Sequence, residues 1–518
     1  MAKWFRSADP DQGCLLPVDV RSWLPPDHLA FQVAGVVGQL DLAGFKAAYR
    51  ADGQGQAPYD PAMMTGLLFY CYFKGIRSSR KIAGACIDDL GCRVICGGAA
   101  PSHQAVAAFI RRHGPEIRRL FVQVLCLLAA EGAVQGHTAA VDGSPVSGNA
   151  SRFANLTGEQ LADRIAAVHA ALDDEARAWL DGAAADPQLP LRDDGEHDDG
   201  EHDDEDLRPG GGVPRRLAGL AAKLARLRAA QATLAGRQAA GGAAARIDAA
   251  QDAAQAAAGR LAAAEAAQAA KVTKYQAAVA AGKPWRYGRI PLPAEASKKV
   301  ARLRTRAGNA TARLAAARAA AAASPVKVSA TDPDSRLVPA KNGGGWIQGW
   351  NLQLGAARRQ ILLAAELHDN PADAGALTAM IAAVAANCEL AGLAAQIRAW
   401  LADSGYASAA AFKELDHLML LVAVRNEAAQ AGRGDGRTAM PPGWEKMAAR
   451  LATPAGKRLY ARRAALVEPA FAQFFARFGR YVNYRGRDAV DTEIKLLATV
   501  HNLAKLLDHR RRHPAPAT

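Results

Sequence analysis

A chain of 518 residues with 50% hydrophobic content and 22% charged residues can bury a large core divided among two to four domains, which excludes a disordered or fibrous protein. The net charge of +14 points to a polyanionic partner, nucleic acid first, because clustered Lys and Arg release counterions when they bind phosphate. The start MAKWFRSADPDQG lacks an apolar stretch, and LLFYCY, VLCLLAA and LMLLVAV are too short to cross a bilayer. Seven cysteines without a CxxC pair supply neither a disulfide framework nor a zinc signature, so a cytoplasmic protein without membrane contact is expected.

From about residue 15 to 135 the signals are helical. After Pro115, the side chains Ile117, Leu120, Phe121, Val124, Leu125 and Leu128 recur at spacings of three and four and define one core face. Arg111, Arg112, Arg118 and Arg119 crowd the start of this helix, and KGIRSSRK adds Arg77 and Arg80. An all-α N-terminal domain over 1–135 that binds DNA or mediates assembly fits.

Residues 153–324 are rich in alanine. Leu217, Leu220, Leu224, Leu227 and Leu234 follow a heptad seam with Gln231 at a core position, predicting a helical hairpin or coiled coil with a break at Gly241-Gly242. Ile247 and Leu261 are nearly alone among alanines, so the second half is helical by propensity and weakly anchored. The repeat DGEHDDGEHD from Asp194 to Asp203 carries His197 and His202 but reads as a solvated acidic loop rather than a metal site.

Beyond Ser324 the pattern changes to strands. GGWIQGWNLQLGA and RRQILLAAELHD suit a hairpin turning at Gly355-Ala356-Ala357, and a helix over Pro371–Leu393 follows. A strand ending at Asp403, a helix around Phe412, the buried strand LMLLVAV and a Gly/Pro-rich loop lead to a last helical region. This order is α/β.

Three acids carry the chemistry. Asp142 follows the apolar HTAAV and precedes Gly143, which would let the backbone bend away at a strand end; Asp403 repeats the design before Ser404-Gly405-Tyr406. Glu468 sits on a basic, aromatic helix with Arg462, Arg463, Arg477 and Arg480 and with Tyr460, Phe471, Phe474, Phe475 and Phe478. A phosphodiester resists attack through its negative charge, and two hard divalent ions about 3.5–4 Å apart, held by carboxylates, offset that charge and activate a hydroxyl. Singly, each acid also suits a turn or cap. Trp346 and Trp350 suit stacking on bases or packing within a strand. His137 and His501 have no ligand-like spacing, and Arg510, Arg511 and Arg512 form a basic tail over 501–518.

Together these motifs resemble bacterial insertion-sequence DDE transposases of the 1182-type group, with an InsH-like N-terminal domain. LPPDHLAF, YDPAMMTGLLFYCYFKGIRSSRKI and PSHQAVAAFIRRH match the first part. VDGSPVSGNAS, TDPDSRL, GGWIQGWNLQL, LADSGY, RRAALVEPAFAQF and RGRDAVDTEIKLLATVHNLAKL match the remainder. The resemblance implies an RNase H-like mixed-sheet catalytic domain over 136–152 and 325–500, interrupted by the helical insertion. It further implies that Asp142, Asp403 and Glu468 hold two Mg²⁺ or Mn²⁺ ions, with Asp142 bridging both and Arg463 positioning phosphate. A homodimer acting on double-stranded DNA in the cytoplasm, nucleoid-associated when bound, would bind terminal inverted repeats, cleave there and transfer the strands. Two departures stand out: Ser144-Pro145 replaces the usual Thr-Lys, and Phe475 replaces a lysine seven positions after Glu468. They leave room for a transposase-derived DNA-binding protein without catalysis, and the alanine-rich third for a structural helical assembly protein.

Overall fold

The computed structural model describes residues 19–49, 57–134, 137–185, 215–240, 243–285, 289–323, 326–341, 344–373, 375–393, 396–424 and 443–514. The acidic repeat, Gly241-Gly242 and most of the Gly/Pro-rich loop fall outside them. The chain divides into two compact units, one of residues 1–152 and 335–518, the other of residues 153–334. The strands in chain order are β1 (Thr138–Ser147), β2 (Asn155–Leu156), β3 (Val328–Ser329), β4 (Arg336–Pro339), β5 (Trp346–Ala356), β6 (Leu362–His368), β7 (Ala399–Ala402) and β8 (Leu420–Val422).

In the first unit, the described elements before β1 are all helical. The helix Gly114–Ala130 buries the six residues its periodicity predicts, from Ile117 to Leu128. That face packs on the last helix, Arg487–Arg512, where Arg118 Nη1 also donates to Thr492 Oγ1 at 2.9 Å. The last helix runs straight through residue 501: His501, Asn502, Leu503, Leu506 and Leu507 are buried, and Arg510 is tied to Glu131. Residues 501–512, expected as a tail, are thus largely part of the core helix.

Six strands form a mixed sheet in the order β4-β5-β1-β7-β8, with β6 also on β5. β1 runs antiparallel to β5 and parallel to β7, and β7 parallel to β8. The hairpin β5–β6 is present, but its turn lies at Arg358–Gln360, because Gly355 and Ala356 remain paired with β1 and β6. Asn502 covers the start of β6: Leu362 N donates to its Oδ1 at 2.9 Å, and its Nδ2 donates to Leu362 O at 2.8 Å. These bonds satisfy polar backbone that would otherwise be buried unpaired.

In the second unit, the helices Gly158–Ala185 and Arg215–Ala240 pack together over the short β2–β3 pair. Leu224, Leu227 and Leu234 are buried as the seam predicts, but the remaining core position is Ala230, and Gln231 is exposed. Ala230 stands three residues after Leu227 and four before Leu234, the spacings that share one helix face. The helices Ala243–Ala280 and Lys298–Ala323 run antiparallel, joined by Arg304–Glu265 at 2.7 Å and Arg318–Gln251 at 3.0 Å. Few large apolar side chains lie between them, as their alanine content implies.

Candidate active site

The start of β1, Ala139-Ala140-Val141, is fully buried between β5 and β7. Asp142 follows inside the strand, opposite Leu354, and not at its end: β1 continues to Ser147 because β5 keeps pairing beyond the point where β7 stops. Asp403 does stand at a strand end, directly after β7. The parallel register aligns Ala140 with Leu401, so its continuation by two residues sets Asp403 beside Asp142. Asp403 Oδ1 accepts from Gly405 N at 2.8 Å and thereby caps the short turn Ser404–Tyr406.

Gly143 has a different use from the bend expected. A Cβ there would run into the Asp373 carboxylate and the Gln353 amide. Asp373, which the sequence pattern does not single out, therefore sits over the backbone next to Asp142. Its Oδ1 accepts from Gln353 Nε2 at 2.7 Å and from Asn351 Nδ2 at 3.1 Å. Tyr406 donates its hydroxyl to Gln353 Oε1. The available signal was the pair Asn351 and Gln353, amides at alternate positions of a largely apolar strand and so on one face; both prove buried and need partners.

Glu468 lies within the helix Arg462–Phe478, well past its first turn, and does not cap it. The helix buries Leu466, Val467, Ala470, Phe471, Phe474, Phe475 and Phe478, which leaves Glu468 on the other side, 60% exposed. Arg463 connects the helix to β1. Its Nη1 is 3.5 Å from Asp142 Oδ2 and its Nη2 is 3.6 Å from Glu468 Oε1, with the Arg463 and Asp142 side chains only 17% and 16% exposed.

Burial pushes the Asp142 carboxyl up to about 6; Asp403 adds to the rise, Arg463 and the Gly143 N–H oppose it, and Asp373 contributes a further repulsion. Burial, with Asp373, Asp142 and Asp403 behind it, likewise drives the Tyr406 phenol far above its ordinary value. The site thus concentrates carboxylates, and among the described residues Arg463 is the guanidinium set against Asp142. Hard oxygen donors in this state suit a hard divalent cation. Among the described residues no three acids converge as a ready-made ligand set, since Arg463 stands between Asp142 and Glu468. The donor chemistry of these carboxylates is of the kind that suits a divalent cation.

The two departures in sequence meet in space. Phe475 is buried, and the Arg480 guanidinium lies 4.0 Å from its ring centroid while Nη1 donates to Ser144 Oγ at 3.0 Å. Ser144 lies two residues after Asp142 on β1, hence on the same face. Pro145 is accommodated because β7 pairs only with Thr138–Ala140, so its missing N–H costs no bond to β7.

The expected DNA contacts divide by burial. Arg80, Arg111, Arg112, Arg462 and Arg480 are exposed, with Arg112 also over the Tyr49 ring. Arg477 is half-buried over Phe73. Arg77 does not fit a DNA contact: it is buried, bonded to Phe478 O, Tyr481 O and Glu493, and pairs with the last at 2.6 Å. Trp350 does not fit base stacking either, being 2% exposed, whereas Trp346 is 55% exposed. Four positions apart, the two rings share a strand face; Trp346 stands at the exposed start of β5 and Trp350 within its continuously buried part.

Residues 18–112 match the family model described as Transposase domain (DUF772). Residues 439–507 match the model Transposase DDE domain, a segment that contains Glu468, Arg463 and Arg480. No curated protein and no solved structure matches the chain. Two transposase models matched in order, one over the N-terminal helices and one over the helix bearing Glu468, support an insertion-sequence DDE transposase.

Proposed function

We propose that this transposase binds the terminal inverted repeats of its element on double-stranded DNA, cleaves there and joins the exposed 3′ hydroxyls to a target. The observation that carries this reading is the register that sets Asp403 beside Asp142, with Glu468 linked to Asp142 through Arg463. The sheet order β6-β5-β1-β7-β8, antiparallel on one side of β1 and parallel on the other, supports an RNase H-like core. Two divalent ions bound here would supply Lewis-acid activation of the attacking oxygen and stabilisation of the leaving one.

The chain's own residues do the rest. Asp142, Asp403 and Glu468 would hold the ions, and Asp373, fixed by Gln353 and Asn351, keeps the local field negative. Arg463 leaves its two carboxylates and takes a phosphate oxygen, so its position reports whether the site is loaded. Trp346, Arg462 and Arg480 approach the DNA from the rim, and a homodimer brings two ends together. Among the described residues, no helix is long and apolar enough to cross a membrane.

Purified protein, labelled element ends and Mg²⁺ test the proposal. Cleavage is expected, and Asp403→Ala should abolish it while end binding persists; unchanged cleavage in that variant removes the site assignment. A second reading, DNA binding without chemistry, draws on Phe475 in place of a lysine. Binding of ends without cleavage by the unmodified chain would favour it.

A further inference from the structure

The hairpin turn between β5 and β6 is built against local preference. Arg359 and Gln360 both have positive φ, 63° and 58°, the backbone demand of a type I′ turn, which Asn-Gly meets with least strain. The surrounding structure holds this conformation. His501, buried and kept neutral with its pKa lowered to about 4 chiefly by burial, donates from Nε2 to Gln360 O at 2.8 Å. Asn502 fixes Leu362 on both backbone groups, and Ala357 N donates to Ile361 O at 2.9 Å. Strain that neighbours enforce, where glycine would relieve it, marks a position whose side chain is needed.

That side chain faces a cleft of about 420 Å³ lined by Arg358, Arg359, Gln473, Lys505, Asp508 and Arg512 among others. Asp508 is already paired with Arg512 at 2.7 Å and Arg511 at 3.2 Å. Neither Arg358 nor Arg359 has a carboxylate partner among the described residues, and Lys505 donates to the neutral Gln473. Burial holds the Lys505 ammonium below its ordinary pKa, so an anion beside it would be favourable. Gln473 follows Glu468 by five residues, about 7.5 Å along the helix and about 140° around it, which turns the cleft away from the carboxylates.

We propose that this cleft is a second phosphate-binding site, separate from the acidic one, in which Arg358, Arg359 and Lys505 hold backbone phosphates of double-stranded DNA. The proposal rests on the DNA-acting function above. Its test uses the full chain and a labelled duplex of arbitrary sequence, with affinity measured over a range of salt. Each phosphate contact contributes about 0.9 to the slope of log affinity against log salt. Arg359→Gly should lower the slope by about one while the melting temperature holds or rises, because strain is removed; adding Arg358→Gln should lower it by about two in all. A wild-type slope in the double variant overturns the second site and leaves the transposase reading intact. No duplex binding by the unmodified chain overturns both.

Discussion

Arg463 reaches Asp142 at 3.5 Å from the neighbouring helix, and the pairing is nearly shielded from solvent. The guanidinium offsets part of the repulsion that Asp403 and Asp373 impose on Asp142. Arg463→Ala should therefore raise the Asp142 pKa above its present value of about 6. Carboxyl titration by NMR checks the direction. A fall instead would mean that Arg463 does not act on Asp142.

Asp142 also sets a pH dependence of stability. Its folded value of about 6 lies above the ordinary 3.8, so the folded state binds the extra proton. The contribution is most favourable below about pH 4 and is lost as pH rises through about 6, at an order of magnitude of ~3 kcal/mol. Asp142→Asn should thus be more stable than wild type at pH 8, with a flatter profile between pH 4 and 7. Mg²⁺ should raise the melting temperature of the wild type and much less that of this variant. Denaturant titrations with and without Mg²⁺ measure both.

Gly143 makes room for Asp373. Gly143→Ala should cost about 1–3 kcal/mol through overpacking and should weaken cleavage with it. Adding Asp373→Ala clears the space, so the double variant should regain stability; additive losses in a double-mutant cycle would show that the two positions do not touch.

Arg77 and Glu493 form a buried pair, 3% and 0% exposed. Glu493 also accepts from Asn483 N at 2.8 Å and Tyr484 N at 3.3 Å, so the pair ties the chain after the Glu468 helix to the N-terminal helices. Arg77→Ala should destabilise the protein by about 3–5 kcal/mol, because an uncompensated carboxylate remains inside. Its DNA affinity, measured below the unfolding transition, should keep the wild-type salt slope.

Arg480 is an exposed cation held by the Phe475 ring and by Ser144, two residues after Asp142 on β1. One lost charge-assisted phosphate bond is worth about 1.5–3 kcal/mol, so Arg480→Ala should reduce cleavage about ten- to hundredfold and Arg480→Lys should recover part of it. Phe475→Lys should not restore activity, since it places an ammonium in the core; loss of stability in a melting curve would show this.

Much of the site was legible as isolated pieces. The helix at Gly114–Ala130 followed from periodicity, because burial of one face leaves a repeat that local sequence carries, whereas β5 is buried continuously from Gln348 to Ala356 and carries no such repeat. The acids Asp142 and Asp403 stood out as carboxylates directly after apolar runs. Asp373 did not, since an acid in a Pro- and Gly-containing loop has the same appearance whether it faces water or a neighbouring strand. Arg77 and Trp350 looked like surface contacts, because charge and aromaticity in sequence do not report which side is covered.

Composition and periodicity, then, determined the basic character of the protein, the positions of its helices and strands, and the residue types able to handle a phosphodiester. The tertiary structure alone decided that β1 and β7 run in one register, that Gly143 yields space to Asp373, and that Arg480 lies over Phe475. These are contacts between residues tens to hundreds of positions apart, selected by close packing of the whole sheet and its helices, and no local pattern encodes them.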